Sequence, residues 1–340
     1  MQREDLGETS AEHRRWFGHP PLFDPEAGQT VVEPLQSGPG WWAGACSALY
    51  EEETATFYLY WRYRKPLELG RGVECHVARS DDGVHFESIW SATQQDINTP
   101  SMERAALFKA PDGTWRLYLS FVDPADSRWR TDVVAADSPA DFDVSKRQRV
   151  FTAADIGAEG VKDPVVLLVG GLYHMLLSYA PSPRQIAAAD AERMHATADV
   201  YNTGLTKSHT GLAVSGDGFR FEWLGDVFAP RDVGWDAYAA RIGSLLWLPP
   251  AWVAFYDGSA GVEENYEERT GLAVSLDLRR FHRVTYEGPL LTSPHASGSL
   301  RYVDALKVGR EIYYYYEYAR PDGSHELRLN VCPLHGRGSS

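Results

Sequence analysis

Short apolar runs rich in Tyr, Phe, Val and Leu recur along the chain, separated by Gly, Pro and Asp, which predicts strands and tight turns instead of long helices. Five segments read as paired strands with a turn between them. They are SALYEEETATFYLYWRY from Ser47, AALFKAPDGTWRLYLSF from Ala105, PVVLLVGGLYHMLLSY from Pro164, IGSLLWLPPAWVAFYD from Ile242 and DALKVGREIYYYYEY from Asp304. Asp-Gly, Gly-Gly, Pro-Pro and Gly-Arg turns mark hairpins. After four of them comes a further echo. TGLAVSGDGFRFEWLGDVF from Thr210 repeats as TGLAVSLDLRRFHRV from Thr270, and more loosely as CHVARSDDGVHFESIW from Cys75 and DVVAADSPADFD from Asp132.

Each unit therefore reads as strand A, turn, strand B, loop, strand C, tight turn and strand D, at a period of roughly 60 residues. The expectation is an all-β fold, a five-bladed β-propeller of four-stranded blades. The fifth unit ends after its third strand, ELRLNVCP, so Thr30 to Gln36 is expected to supply the fourth and close the ring. A β-sandwich is the alternative, but it does not require one motif at near-constant period. Residues 1–40 are then an N-terminal extension with the closing strand at about 30–36, 41–334 one propeller domain, and 335–340 a flexible tail.

The 340 residues carry 33 Lys and Arg against 47 Asp and Glu, a formal charge of -14. That leaves no electrostatic footprint for nucleic acid or an anionic membrane. With 44% hydrophobic residues the chain can bury a core, which excludes disorder. No run approaches the eighteen or so apolar residues of a membrane helix. The first residues lack an apolar signal region, and Cys46, Cys75 and Cys332 are few and far apart, so a cytoplasmic protein with reduced thiols is expected. The cysteines also lack zinc-site spacing, and no metal is expected.

Lys162-Asp163-Pro164, a hydrophobic strand, Gly170-Gly171-Leu172-Tyr173 and then MLLSYAP resemble a blade of the five-bladed glycosidases of the arabinanase, levansucrase and invertase group, similar to glycoside hydrolase family 43. The turns Ser80-Asp81-Asp82-Gly83 and Gly216-Asp217-Gly218-Phe219 resemble that group's turn between strands C and D. The resemblance implies catalytic carboxylates at the start of the innermost strands: an Asp base or nucleophile, a second Asp that orients substrate and tunes pKa, and a Glu acid. On that reading Asp163 takes the second role. The first blade opens Gly44-Ala45-Cys46-Ser47 without the expected base, and no acid Glu precedes the fourth, which opens at Trp235-Asp236. Relatives sometimes hold a calcium at the axis, but no carboxylate and carbonyl cluster here demands one, and no cofactor is expected.

Read from the residues alone, Glu103-Arg104, Lys162-Asp163, Arg241 and Arg301-Tyr302 occupy matching strand-A entries, with Asp304 just beyond. Charges at a narrow, low-dielectric axis are costly unless paired, so they form either a site or an ion-pair plug. At the matching place in strand B stand Arg62, Ser120, Ser178, Asp257 and Glu317, each polar in an apolar run. Strand-A heads and strand-B tails share one face, which gathers Glu103, Asp163, Asp236, Asp257, Asp304 and Glu317 with several cations.

The loop from Pro181 to His209, with His195, Asp199, Tyr201, Asn202 and His209, is a candidate lid or a functionless insertion. Glu263, Glu264, Tyr266 and Arg269 stand in the next such loop, as site residues or a solvated charge run. Trp41 and Trp42 are candidates for stacking on a sugar ring, or for core packing. His174 reads as a core histidine. The leading functional reading is glycoside hydrolysis of a small saccharide, furanosidic or acidic, with Asp163 orienting substrate and two of the other five carboxylates as acid and base. Arg62, Arg104, Lys162, Arg241, Arg301, Tyr302, Trp41, Trp42 and His209 would bind substrate, the cations favouring an anionic group. Phosphorolysis, and a non-catalytic propeller that binds saccharide or protein, are the alternatives.

Overall fold

The recurring hairpins become strands that pair in sequence order. A computed structural model describes residues 20–334, so residues 1–19 and the expected tail at 335–340 lie outside the described part. Strands β2 (Trp42–Glu51), β3 (Thr56–Arg64), β4 (Gly72–Ser80) and β5 (Glu87–Thr93) form one antiparallel meander. Strands β6 (Ala106–Lys109), β7 (Trp115–Val122), β8 (Trp129–Ala136) and β9 (Gln148–Phe151) form the next. They are followed by β10 (Ala158–Val169), β11 (Leu172–Pro181), β12 (His209–Ser215) and β13 (Glu222–Phe228), then by β14 (Ala239–Leu248), β15 (Ala251–Ser259), β16 (Arg269–Ser275) and the short β17 (His282–Arg283). The last set is β18 (Leu300–Val308), β19 (Glu311–Ala319) and β20 (His325–Pro333), on which β1 (Gln29–Val32) pairs antiparallel, Gln29 opposite Leu329. The segment expected to lie beside the final strand does so, one residue earlier than its expected start and ending at Val32.

Hydrophobic side chains fill the space between consecutive sets. Leu107, Trp115 and Leu117 meet Tyr60, Cys75 and Val77; Met175 and Leu177 meet Tyr118 and Val133; Leu327, Leu329 and Tyr315 meet Ala43, Leu59 and Trp61. The last of these packs the final set on the first, where Trp42 also bridges His325 in parallel. No helix among the described residues is long and apolar enough to cross a membrane.

The echoed motifs have local causes. In Ser80-Asp81-Asp82-Gly83 the Ser80 hydroxyl accepts the amides of Asp82 and Gly83, and Asp82 accepts those of Val84 and His85. Ser215 and Asp217 repeat this around Gly218, as do Ser275 and Asp277 around Leu278. Gly218 sits at φ +75, and an added Cβ would meet the Arg116 guanidinium at 1.8 Å. The Thr that opens each TGLAVS donates to the next set: Thr210 to Ala240 O and Thr270 to Leu300 O, both at 2.8 Å.

The innermost strands share one irregularity that positions the site. Register breaks fall between Gly44 and Ser47, Lys162 and Val165, Ile242 and Ser244, and Arg301 and Asp304. Such bulges take an amide out of the ladder, and a buried amide needs another acceptor. The preceding set supplies it. Glu317 accepts from Ala45 N at 3.1 Å, Ser120 from Asp163 N at 2.8 Å and Asp257 from Tyr302 N at 2.9 Å. Ala45, Asp163 and Tyr302 have φ of 54, 54 and 51, a left-handed conformation that these contacts hold in place.

Candidate active site

The two polar registers face each other as pairs: Gly44 opposite Arg62, Lys162 opposite Ser178, Arg241 opposite Asp257 and Arg301 opposite Glu317, while Glu103 N donates to Ser120 O. Their side chains form one buried network. Arg62 Nε bonds Glu103 Oε2 at 2.9 Å and its Nη2 lies 3.5 Å from Glu317 Oε2. Arg301 makes a two-pronged contact to Glu317 Oε1 at 2.9 and 2.8 Å and reaches Glu268 Oε2 at 2.8 Å. Arg241 is ion-paired with Glu268, its Nη2 2.7 Å from Oε1 without hydrogen-bond geometry, and lies 3.7 Å from Asp257 and 3.9 Å from Asp163. Lys162 Nζ stands 3.4 Å from Asp163 and over the Trp129 ring at 4.7 Å.

Tyr302 is the hub. Its hydroxyl donates toward Glu103 Oε2 at 3.4 Å and Asp163 Oδ2 at 3.5 Å, so those carboxylate oxygens are no more than about 7 Å apart, within reach of one scissile bond. Arg241 and Arg301 lie over its ring at 5.6 and 4.9 Å.

The environment separates the carboxyls. Burial pushes Asp257 up to about 7, with Glu268 adding and Arg241 opposing. Burial acts on Glu103 too, but Arg62, Lys162, Arg64 and Arg301 hold its carboxyl well below the usual range. Glu317 is likewise held far down by Arg301 and Arg62 against burial, and Glu268 is lowered to about 2 by Arg241 and Arg301 against burial. A carboxyl that keeps its proton near neutrality beside ones that do not is the division of labour acid–base catalysis uses.

Other expected residues lie elsewhere. Asp236 is fully buried but bonded to Arg231 Nε at 2.5 Å, Arg283 Nε at 2.6 Å and Tyr256 OH at 3.0 Å, a self-contained ion cluster apart from Glu103 and Asp163. Asp304 and Arg104 form a separate group: Asp304 accepts Ala48 N at 2.7 Å and faces Arg104 at 3.4 Å, while Arg104 donates to Gly243 O. The register break sets Asp304 opposite Tyr315, two partner residues along from the Arg301–Glu317 pair, where its carboxylate meets Ala48 N and Arg104 instead of Arg301's partners. His209 contacts Asp226 at 3.2 Å and packs edge-on to Tyr179. Trp42 is buried and stacked on His325 at 4.3 Å, and Trp41 is half-buried with its carbonyl taken by His325 N. Ser120, Asp257 and Glu317 serve as acceptors for bulge amides, a structural reason for polarity in their register.

The long loop does reach the site. Asp199 accepts from Trp129 Nε1 at 3.1 Å and from Tyr266 OH at 2.5 Å and pairs with Arg71 at 3.1 Å, while Tyr201 lies under Lys162 at 5.4 Å. His195 instead bonds Glu159, and Asn202 bonds Asn265. In the next loop Tyr266 joins the network, whereas Glu264 pairs with Arg269 at 2.9 Å. Four network residues escape the sequence reading: Glu268, His325, Arg64 and Arg71. Glu268 had a signal, because aligning TGLAVS on TGLAVS sets it opposite Ser208, at the entry to strand C. His325 holds that position in the last set; both its ring nitrogens face carboxylates, Glu317 at 2.9 Å and Glu267 at 3.1 Å.

Several buried polar atoms here have no hydrogen-bond partner among the described residues: Asp163 Oδ1, Arg62 Nη1 and Nη2, Arg64 Nε and Nη1, Arg241 Nε and Nη2, and Tyr201 OH. No group of three or more His, Cys, Asp or Glu among the described residues is disposed to hold a metal ion.

No protein-family model matches the sequence, and no curated protein does. Solved structures do match in fold. A β-1,2-mannobiose phosphorylase from Listeria innocua superposes with TM-score 0.59 at 16% identity, over 90% of this chain and 94% of that one. A thermostable family-43 glycoside hydrolase gives 0.63 at 13%, over 89% and 92%. An endo-arabinase from Bacteroides thetaiotaomicron VPI-5482 gives 0.59 at 12%, over 91% and 99%. The chain thus shares its fold with glycoside hydrolases and phosphorylases whose sequences it barely resembles.

Proposed function

We propose that the described strands form a five-bladed β-propeller, closed by β1 on β20, and that the buried network at its axis cleaves a glycosidic bond in a small saccharide. The observation that carries this reading is the convergence of Glu103 and Asp163 on the Tyr302 hydroxyl, beside Asp257. Asp257, protonated near neutral pH, serves as the acid that protonates the departing oxygen. Glu103, ionised by its cations, serves as base or nucleophile at the anomeric carbon. Asp163 orients substrate through its unpartnered Oδ1 and holds Lys162 and Tyr302 in place. A plug built for stability alone would satisfy its polar atoms, and the concentration of orphaned ones here favours a site awaiting a polar ligand.

Phosphorolysis is the second reading, supported by the Arg and Lys surplus around Glu103 and by the fold shared with a mannobiose phosphorylase. In it phosphate replaces water as the attacking group. The test is turnover of aryl glycosides and oligosaccharides with and without phosphate, comparing wild type with Asp163→Asn and Glu103→Gln. Both variants lose turnover on the proposal, phosphate dependence selects phosphorolysis, and unchanged rates in both variants remove the assignment.

A further inference from the structure

Each cation of the network has a carboxylate within salt-bridge distance, with one exception. Arg62 has Glu103, Arg71 has Asp199, Lys162 has Asp163, Arg241 has Glu268 and Arg301 has Glu317. Arg64 has none among the described residues. It ends strand β3 opposite Trp42, is 2% exposed, and its guanidinium sits in the corner between the Trp42 ring at 4.2 Å and the Tyr266 ring at 3.8 Å, which meet at 60°. Burial lowers its pKa, although Tyr266 and Glu103 favour the charge and Arg62 and Arg301 oppose it. Two of its donors, Nε and Nη1, are buried without a partner.

Two aromatic faces recover part of the lost hydration by cation–π attraction but supply no acceptor for the N–H groups. A guanidinium held rigid, dry and unmatched at the edge of an ion network is a preorganised receptor for an oxyanion. We infer that Arg64 is a specificity residue that binds the carboxylate of an acidic sugar, so the saccharide acted on is a uronic-acid type. This rests on the saccharide reading above and narrows its substrate class. Trp42 and Tyr266 fix the guanidinium, and Trp42 is itself pinned on His325 at 4.3 Å.

Titration calorimetry of the full chain with galacturonate and glucuronate, their neutral parents galactose and glucose, and inorganic phosphate tests this, with a thermal melt of each variant. Wild type should bind at least one uronate roughly 10- to 100-fold more tightly than its neutral parent. Arg64→Met should abolish that preference, while Arg64→Lys retains part of it through charge without the planar stack. Because the cation has no carboxylate to strand, unliganded Arg64→Met should melt no lower than wild type. Equal binding of uronate and parent, an unaffected preference in Arg64→Met, or a collapsed melting point for both variants overturns the inference. Capture of inorganic phosphate alone, with the same dependence on Arg64, assigns the cation to free phosphate and overturns the sugar-borne carboxylate. Arg64-dependent uronate binding with no turnover of any saccharide supports this assignment and sinks the catalytic reading; turnover whose preference between uronides and neutral glycosides is the same in wild type and Arg64→Met does the reverse.

Discussion

Arg301→Met should be among the most damaging single changes in the chain. Arg301 is 1% exposed and gives three charged hydrogen bonds, two to Glu317 and one to Glu268, while its guanidinium lies 4.9 Å from the rings of both Trp42 and Tyr302. Methionine fills much of the stem volume but leaves two buried carboxylates short of their main cation. Breaking a buried pair in this way costs about 3–5 kcal/mol. Arg62 and His325 remain for Glu317, and Arg241 for Glu268, so the lower half of that range applies. For a chain of this size the melting temperature should fall by about 4–6 °C. Urea titration with thermal melts reads both quantities. Adding Glu268→Gln should recover part of the loss, because the double variant strands one charge fewer. A loss under about 1 kcal/mol in the single variant would refute the view that these ion pairs are tightly coupled and dry.

Asp257 gives a pH signature. Its folded carboxyl at about 7 lies above the ordinary 3.8, so its contribution to stability is full below the ordinary value and is lost as pH rises through about 7. Glu268, lowered from 4.5 to about 2, acts oppositely, its contribution present above 4.5 and lost as pH falls through about 2. Melting curves of wild type between about pH 5 and 8 should decline with pH more steeply than those of Asp257→Asn, by up to about 1.4 kcal/mol per unit; parallel curves would contradict the shift. If Asp257 is the acid, the pH–rate profile also falls above about 7, and that limb should be absent from any residual activity of Asp257→Asn. Ser120→Ala removes the acceptor of the Asp163 amide and should cost about 1–3 kcal/mol by urea titration, with no loss meaning that the bulge finds another partner. Asp236→Asn should lower the melting point, through Arg231 and Arg283, without changing saccharide specificity, since it lies outside the network.

How much of this was legible depends on what each residue touches. The repeats were readable because each TGLAVS has the same tasks: a Thr that bonds the next set, an Ala against packed aromatics, and a Ser that caps the turn. The strand-B register was readable because one polar residue interrupts each apolar run. Its meaning was not, since the bulge amides that Ser120, Asp257 and Glu317 accept arise from a backbone irregularity with no compositional mark beyond Asp-Pro at one site. Asp236 misled because it stands just before β14 in sequence, yet Arg283, from β17, captures it at 2.6 Å. Glu268 was hidden in a charge run that reads as solvated surface. Arg64 was hidden by what it lacks, a partner, which only the folded chain reveals.

The central claim is that Glu103 and Asp163, joined through Tyr302, form the working end of a glycosidic site. Its most direct test is kcat/KM for the best saccharide of a mixed acidic and neutral panel, wild type against Glu103→Gln, with matched melting curves to show that the variant is folded. A drop of roughly 10²- to 10⁴-fold in the folded variant is the expected result. A folded Glu103→Gln within two-fold of wild type, or a wild type inert toward the whole panel, would contradict it.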